Sequence, residues 1–374
     1  MMKCQRDKFM LSRKVAYLNC AYMSPMLKKV ENAGRKGIAA KRKPHKISTE
    51  DFFRDTEKLR AQFAKLVNCP EPNRNVIIPS VSYGMANAAA NLPKKKGRVL
   101  LAQDQFPSNR YPWDGYQIDM IEKPVDRSKT WSDAFIDKLS SDVAAISISH
   151  THWVDGSLFD LQRIREKASE VEAALIIDGT QSIGALPFDL SSIKPDALVV
   201  AGYKWLFGPY SSGMAYYGEL FDEGKPIENN WINRKGSENF GGLVKYTDAF
   251  QEGALRYEVG EHSNFILVPM LLAAIKQLNR WSPEAVSLYI EQISEPAIKE
   301  MLEMGFEIEE KERRSPHLFG IRFDKRMDAK KIQKSLKDHK VNVSFRGDAI
   351  RISPHVYNDA RDLSKLTRAL KAAM

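Results

Sequence analysis

The chain has 374 residues, room for roughly two domains of ordinary size, and 43% of them are hydrophobic, ample for a sizeable core. No run of about 18 apolar residues occurs, which excludes an apolar helix that spans a bilayer. Lys and Arg outnumber Asp and Glu by 57 to 47, an excess that would steer anionic small molecules as well as polyanions.

The opening stretch, MMKCQRDKFMLSRKVAYLNCAYMSP, is broken by charge too often to read as a secretory signal. Cys4, Cys20 and Cys69 carry no metal-ligand spacing and point to a reducing, cytoplasmic setting without disulfides. The basic excess gathers in Arg35-Lys36, in Lys41-Arg42-Lys43 with His45-Lys46, and in Lys94-Lys95-Lys96. No aromatic residues interleave these runs, so they read as solvated loops or faces, and neither a nucleic acid nor a membrane is an expected partner.

In chain order, apolar residues recur at helical spacing from Thr49 to about Asn68, with Ser48 or Thr49 as cap. Val76-Ile-Ile begins a short strand, Gly84 to Leu92 reads as an Ala-rich helix, and Arg98 to Ala102 as a strand. Val143 to Ser149 is the next strand, followed by a helix from about Asp160 to Ala173. Leu175-Ile-Ile, Ala197 to Ala201 and Gly213 to Tyr217 complete the strand series. Short β-branched strands separated by helices predict an α/β fold, its mostly parallel sheet covered on both faces. Ligands of such sheets bind beyond the carboxyl ends of the strands. After about residue 260 the texture changes to long helical patterns, Val268 to Trp281 and Pro283 to about Gly305. Strands at His317 to Phe323 and Val341 to Phe345 and a terminal helix follow, which together read as a smaller α/β domain.

Two of the buried runs end by delivering a polar residue. "AALIIDGTQSIG" puts Asp178 at a strand end, and "ALVVAGYKWLFGP" puts Lys204 just past the next one. Taken alone, Asp178 is equally a turn acid before Gly, and a lysine like Lys204 is most often a surface residue lying along a strand. As a pair on adjacent strands they match a known requirement. A lysine that takes the aldehyde of pyridoxal phosphate needs a carboxylate at the pyridine nitrogen, so that the protonated ring can accept electrons from a substrate carbanion. Bulky Trp205 and Phe207 beside Lys204 would desolvate the amine and favour its neutral, nucleophilic form.

The whole segment "IIDGTQSIGALPFDLSSIKPDALVVAGYKWLFGP" resembles the cofactor signature of class V aminotransferases, the pyridoxal-phosphate family that includes cysteine desulfurases, kynureninases and isopenicillin N epimerase-like proteins. Weaker similarity runs from Tyr17 to Asn358. The resemblance implies the type I fold of pyridoxal-phosphate enzymes. A large cofactor-binding domain would span 15–259, with a sheet of the seven-stranded type, and 1–14 with 260–374 would form the small domain. It implies Lys204 as the lysine bound to the cofactor, Asp178 as partner of the pyridinium nitrogen and Gln181 as donor to the ring's phenolic oxygen. "SVSYGMAN" (Ser80 to Asn87) resembles the family's phosphate turn, which makes Ser82, Tyr83 and the backbone N–H groups there cofactor contacts; without the family, Ser82 would be an ordinary helix cap. In "DQFPSNRYPW", Phe106 falls where the family lays an aromatic ring over the cofactor, and "FPS" is more similar to kynureninases than to desulfurases, which use His. "FRGDAIRISPHVYNDARDL" resembles the family's substrate-carboxylate segment, with Arg351 in the binding position and Arg346 as a second candidate. "YLNCAYMSP" resembles the substrate-side loop and brings in Asn19 and Tyr22.

Four positions depart from the family. Tyr203 stands for a phosphate-binding His, Ala201 for a Ser, and Trp153 for an Asn near the phenolic oxygen. Glu261 stands where many members carry a phosphate-binding Thr from the neighbouring subunit. Other donors must then serve, and Asn230, Trp231 and Ser237 are the candidates, reaching across the two-fold axis of a homodimer. The last cysteine is Cys69, so the persulfide chemistry of desulfurases has no thiolate in the C-terminal part of the chain. What remains expected is an enzyme acting on an amino acid and a keto acid, an aminotransferase first. Kynureninase-like C–C cleavage or epimerase-like racemisation would use the same groups. A nucleic-acid binder on a degenerate scaffold would not need the Asp178–Gln181–Lys204 set.

Overall fold

The computed structural model describes residues 2–93, 97–322, 327–347 and 349–374. The run Lys94-Lys95-Lys96, the end of the strand expected at Phe323, and Asp348 of the carboxylate segment lie outside the described residues.

The N-terminal segment gives β1 (Ala16–Tyr17) and α1 (Lys28–Ala40). The helix expected from Thr49 is a 3-10 turn, Thr49–Phe52, capped by Ser48, followed by α2 (Arg54–Leu66). Then come β2 (Asn75–Ile78), α3 (Val81–Ala90), β3 (Arg98–Ala102), α4 (Pro107–Arg110) and β4 (Gln117–Ile121). α5 (Trp131–Lys138), β5 (Val143–Ser149), α6 (Leu161–Glu170), β6 (Ala174–Asp178), α7 (Leu190–Ile193), β7 (Ala197–Ala201) and β8 (Gly213–Tyr217) finish the first half. The second half holds α8 (Leu267–Trp281), α9 (Pro283–Glu303), β9 (Glu307–Ile308), β10 (Phe319–Arg322) and α10 (Ala329–Asp338). It ends in β11 (Val341–Asn342), β12 (Ser344–Arg346), β13 (Ala349–Ile352) and α11 (Ala360–Lys371).

The large sheet has seven strands in the order β2-β8-β7-β6-β5-β3-β4. All neighbours pair in parallel except those of β8, which runs antiparallel to both β2 and β7. Strand periodicity explains the buried apolar runs. Leu175 and Ile177 of β6, and Leu198 and Val200 of β7, enter a core beneath α2, α6 and α8. Their alternates Ala174, Ile176, Ala197 and Val199 enter a second core beneath α3. A strand covered on both faces needs an apolar residue at every position, and β5 is buried throughout.

The smaller sheet is antiparallel, in the order β12-β13-β10-β9, over a third core shared with α10 and α11. Packing crosses the residue-260 boundary expected from sequence texture. α8 lies in the core of the large sheet, and Ala16 and Leu18 lie in the core of the small one. α9 enters both, with Val286, Tyr289 and Ile290 in the first and Ala297, Ile298 and Met301 in the other. Among the described residues no helix is long and apolar enough to cross a membrane.

Candidate active site

The carboxyl ends of β2, β3, β5, β6 and β7 share one edge of the sheet, and antiparallel β8 starts there. A cavity of about 240 Å³ opens at this edge. Each strand end contributes to its wall: Ser80 and Val81 after β2, Gln105 and Phe106 after β3, Ser149 from β5. Asp178, Thr180 and Gln181 come from β6, Ala201, Tyr203 and Lys204 from β7, and Ser211 and Ser212 precede β8. The volume far exceeds the roughly 10–15 Å³ that one water needs.

Asp178, the last residue of β6, and Lys204, in the turn just past neighbouring β7, meet in this cavity. Asp178 is buried and accepts the Thr180 N–H at Oδ1, 2.9 Å. Burial raises its carboxyl, against the opposing pull of Thr180 hydrogen bonds and of Lys204. Thr180 Oγ1 accepts the Ala201 N–H at 3.1 Å, which ties the end of β6 to that of β7. Lys204 is also buried, its Nζ 5.2 Å from the centroid of Phe106 and 5.5 Å from that of Tyr203. Burial lowers the amine to about 8, with Arg351 and Arg346 adding to the effect and Asp178 opposing it. An amine so placed has a substantial neutral fraction near neutral pH, as a nucleophile requires.

Gln181 is held at both ends of its amide. Oε1 accepts the Trp205 indole N–H at 2.8 Å and Nε2 donates to the Ala21 carbonyl at 3.2 Å. A primary amide has two N–H donors, so one remains for a ligand oxygen in the cavity. Behind it, His317 Nε2 donates to the Gln181 carbonyl at 2.6 Å, and burial lowers His317 to about 3, which keeps that ring neutral.

The opposite end of the cavity meets the first turn of α3. Ser80, not Ser82, caps this helix: its Oγ accepts the Tyr83 N–H at 3.2 Å. The cap lies two residues earlier than the sequence suggested because β2 ends at Ile78 and leaves only Pro79 before the helix. Ser82 points to solvent and is absent from the cavity wall. Tyr83 also turns away, donating from Oη to Glu228 Oε2 at 2.8 Å. Three buried polar atoms on the wall, Ser149 Oγ, Ser212 Oγ and Gln105 Nε2, have no partner among the described residues. Sequence reasoning missed all three, because each sits at the end of a different strand and no local pattern marks it.

Trp153 borders the cavity, edge-on to Phe106 at 5.3 Å, but its indole N–H is taken by the Asp104 carbonyl at 2.6 Å. It supplies a wall and no free donor. Arg351, buried on β13, donates from Nη1 to the Trp153 carbonyl at 2.9 Å. Asn19 is buried and accepts the Ser344 hydroxyl at 2.7 Å, while Tyr22 is 56% exposed. Asn230 is engaged within its own chain, donating to the Glu258 carbonyl at 3.1 Å and accepting the Asn233 N–H at 2.9 Å. Trp231 is partly exposed and stacks edge-on against Phe240 at 5.5 Å. Neither Asn230 nor Trp231 reaches the cavity of its own chain.

These residues fit pyridoxal phosphate on the chemistry of the donor set. An acid and a depressed amine face the same space, an amide with one N–H unspent lines the wall beside them, and unpartnered hydroxyls with a helix N-terminus complete it.

An uncharacterized aminotransferase, YcbU of Bacillus subtilis, is 26% identical over 84% of this chain and 82% of its own length. A kynureninase of Shouchella clausii is 24% identical over 75% of this chain and 68% of its own. The solved structure of a C-DES mutant with glycine covalently linked to its PLP cofactor superposes with a TM-score of 0.86 at 19% identity, covering 99% of this chain and 100% of that one. That likeness establishes the fold. The aminotransferase class-V family model matches residues 26–369, and the chain belongs to that family of pyridoxal-phosphate enzymes.

Proposed function

We propose that the protein is an aminotransferase that moves an amino group between an amino acid and a keto acid. The observation that carries this reading is the meeting of Asp178 and Lys204 in one buried cavity at adjacent strand ends. When bound, pyridoxal phosphate supplies the electron sink for charge that develops at the substrate α-carbon. The carboxylate of Asp178 holds a proton at the pyridine nitrogen, and Gln181 donates to the ring's phenolic oxygen. Phe106 covers the ring and, with Trp153, excludes water. Lys204 Nζ takes the α-proton of the amino acid and returns it as general base and acid. Ser80, Ser212, Tyr203 and the first N–H groups of α3 bind the phosphate, and Arg351 takes the substrate α-carboxylate as a planar fork. Asn19 and Tyr22 border the substrate from the N-terminal side.

The working unit in this reading is a homodimer; its cofactor-binding body is 15–259 with α8 packed into it, and its smaller body is 1–14 with the rest of 260–374, joined by Ala16 and Leu18. Apolar side chains stand exposed along the loop that carries Asn230 and Trp231, with Val244 at 81% and Tyr246 at 97%. A two-fold contact would cover them and bring the loop of each subunit to the other's phosphate. Burial pushes the Cys20 thiol well above its usual range, which disfavours a desulfurase. Free thiols at Cys4, Cys20 and Cys69 accord with a cytoplasmic, reducing compartment.

The test is an amino-acid panel followed by visible absorbance, with and without keto acids. A transaminase loses its band with a subset of amino acids and regains it with a keto acid. Release of a cleaved side chain, or loss of optical rotation with the band intact, would instead make it a C–C lyase or an epimerase.

A further inference from the structure

Two arginines rise from one face of the β12–β13 hairpin. Ser344 pairs directly with Arg351 in the antiparallel register, and Arg346 lies two residues further along β12. Side chains at such diagonal positions share a face with backbones roughly 7–8 Å apart. Both guanidinium groups then converge on Trp153, the Arg346 Cζ 5.5 Å and the Arg351 Cζ 5.8 Å from its ring centroid. Trp153 is a wall of the cavity that holds Lys204.

Like charges placed diagonally on one face repel, and burial makes the repulsion worse. Among the described residues no carboxylate forms an ion pair with either group. Arg351 donates only to the Trp153 carbonyl and Arg346 only to its own neighbour, the Phe345 carbonyl at 2.7 Å. The Nε of each is buried without a partner. Both charges also act on Lys204, depressing it further, which sets Arg351, buried, and Arg346, half-buried, on the Lys204 side of the Trp153 ring. One α-carboxylate neutralises one arginine. A substrate with an apolar side chain leaves the second cation with the Trp153 ring face alone.

We propose that Arg346 selects an amino acid whose side chain ends in an anionic group, with the α-carboxylate on Arg351. This rests on the reading of the cavity as an amino-acid site. The anionic group is a carboxylate, a sulfonate or a phosphate, all of which accept from a guanidinium in the same way.

The experiment uses the cofactor-loaded protein and calorimetric binding of succinate and glutarate against propionate and butyrate. The dianions should bind at least tenfold more tightly, as loss of a charge-assisted hydrogen bond predicts. Arg346→Gln should collapse that ratio by tenfold or more, and Arg346→Lys should restore part of it. Equal affinities in the native protein overturn the proposal, as does a fall of dianion and monoanion binding by the same factor in Arg346→Gln, which would make both arginines a clamp on one carboxylate. If Arg346→Gln does not fold, the native ratio and Arg346→Lys still decide. Absorbance changes with aspartate, glutamate, cysteate and phosphoserine, against alanine and leucine, identify the source of the anion. Preference for any anionic member supports the proposal, and preference for none overturns it. Absence of a visible band would fail the cofactor reading instead, and the dianion-to-monoanion ratio is then read by calorimetry on the cofactor-free protein.

Discussion

The indole N–H of Trp205 donates to Gln181 Oε1 at 2.8 Å, so the residue beside Lys204 fixes the amide three positions after Asp178. The bond joins the two strand ends that build the site and decides which way the Gln181 amide faces. Trp205→Phe leaves that buried oxygen without a donor, at a cost of about 1–3 kcal/mol, and adds the cost of the cavity left by the smaller ring. A fall in melting temperature with a shifted visible band is expected; an unshifted band would mean that Gln181 does not touch the ring oxygen.

Asp178→Asn should still bind cofactor through Lys204 but lose most turnover, since a neutral amide cannot hold the ring proton. Loss of more than tenfold corresponds to about 1.4 kcal/mol of barrier. Steady-state rates within tenfold of the native enzyme would remove Asp178 from the electron-sink role.

Lys204→Ala should abolish the visible band while the protein stays folded and retains cofactor through its phosphate contacts. In the cofactor-free protein the amine titrates near 8, lowered first by burial, against an ordinary value of 10.5. The unfolded chain therefore binds more protons than the folded one between these values, and stability contributed by Lys204 rises with pH across that window. Denaturant midpoints of the cofactor-free protein should show this rise, and Lys204→Met should flatten it. A profile identical in the variant would place the titration elsewhere.

Mixing a Lys204→Ala chain with a chain altered at Asn230 and Trp231 should restore activity, because one site of each hybrid dimer is then intact. Sedimentation alongside the assay distinguishes the outcomes. Full activity in a monomer would end the shared-site reading.

Much of the fold was legible because β5, β6 and β7 are buried on both faces and appear as unbroken apolar runs. β4, with the pattern QIDMI, was not, since an edge strand half open to solvent carries mixed residues. α1 escaped for a different reason. Its buried face is Val30, Gly34 and Gly37, and a Cβ on Gly37 would stand 2.1 Å from the Phe265 carbonyl. Close approach of a helix needs glycine there, and glycine leaves no hydrophobic period to read. In the site, Asp178, Gln181, Lys204 and Phe106 were legible because they sit in or beside short motifs. Ser80, Ser149 and Ser212 were not, because a serine at a strand end looks the same whether it turns to a cavity or to water.

The path of α9 through both cores makes it one of the links between the two sheets. Between Ile290, seated in one, and Ala297, seated in the other, lies Pro296. Proline has no N–H for the Gln292 carbonyl, so the rod is weakest at that point and stiff on either side. A tilt of the smaller sheet toward Lys204 would therefore bend α9 near Pro296 and would also load the bonds that tie that sheet to the large body, Gly320 N–H to the Asp155 carbonyl at 2.9 Å and Ser315 N–H to the Gly156 carbonyl at 2.8 Å. Pro296→Ala should stiffen the joint and slow the absorbance change on mixing with substrate; an unchanged rate would place the hinge elsewhere. The bend at Pro296 would then help to set how quickly a substrate is grasped and let go.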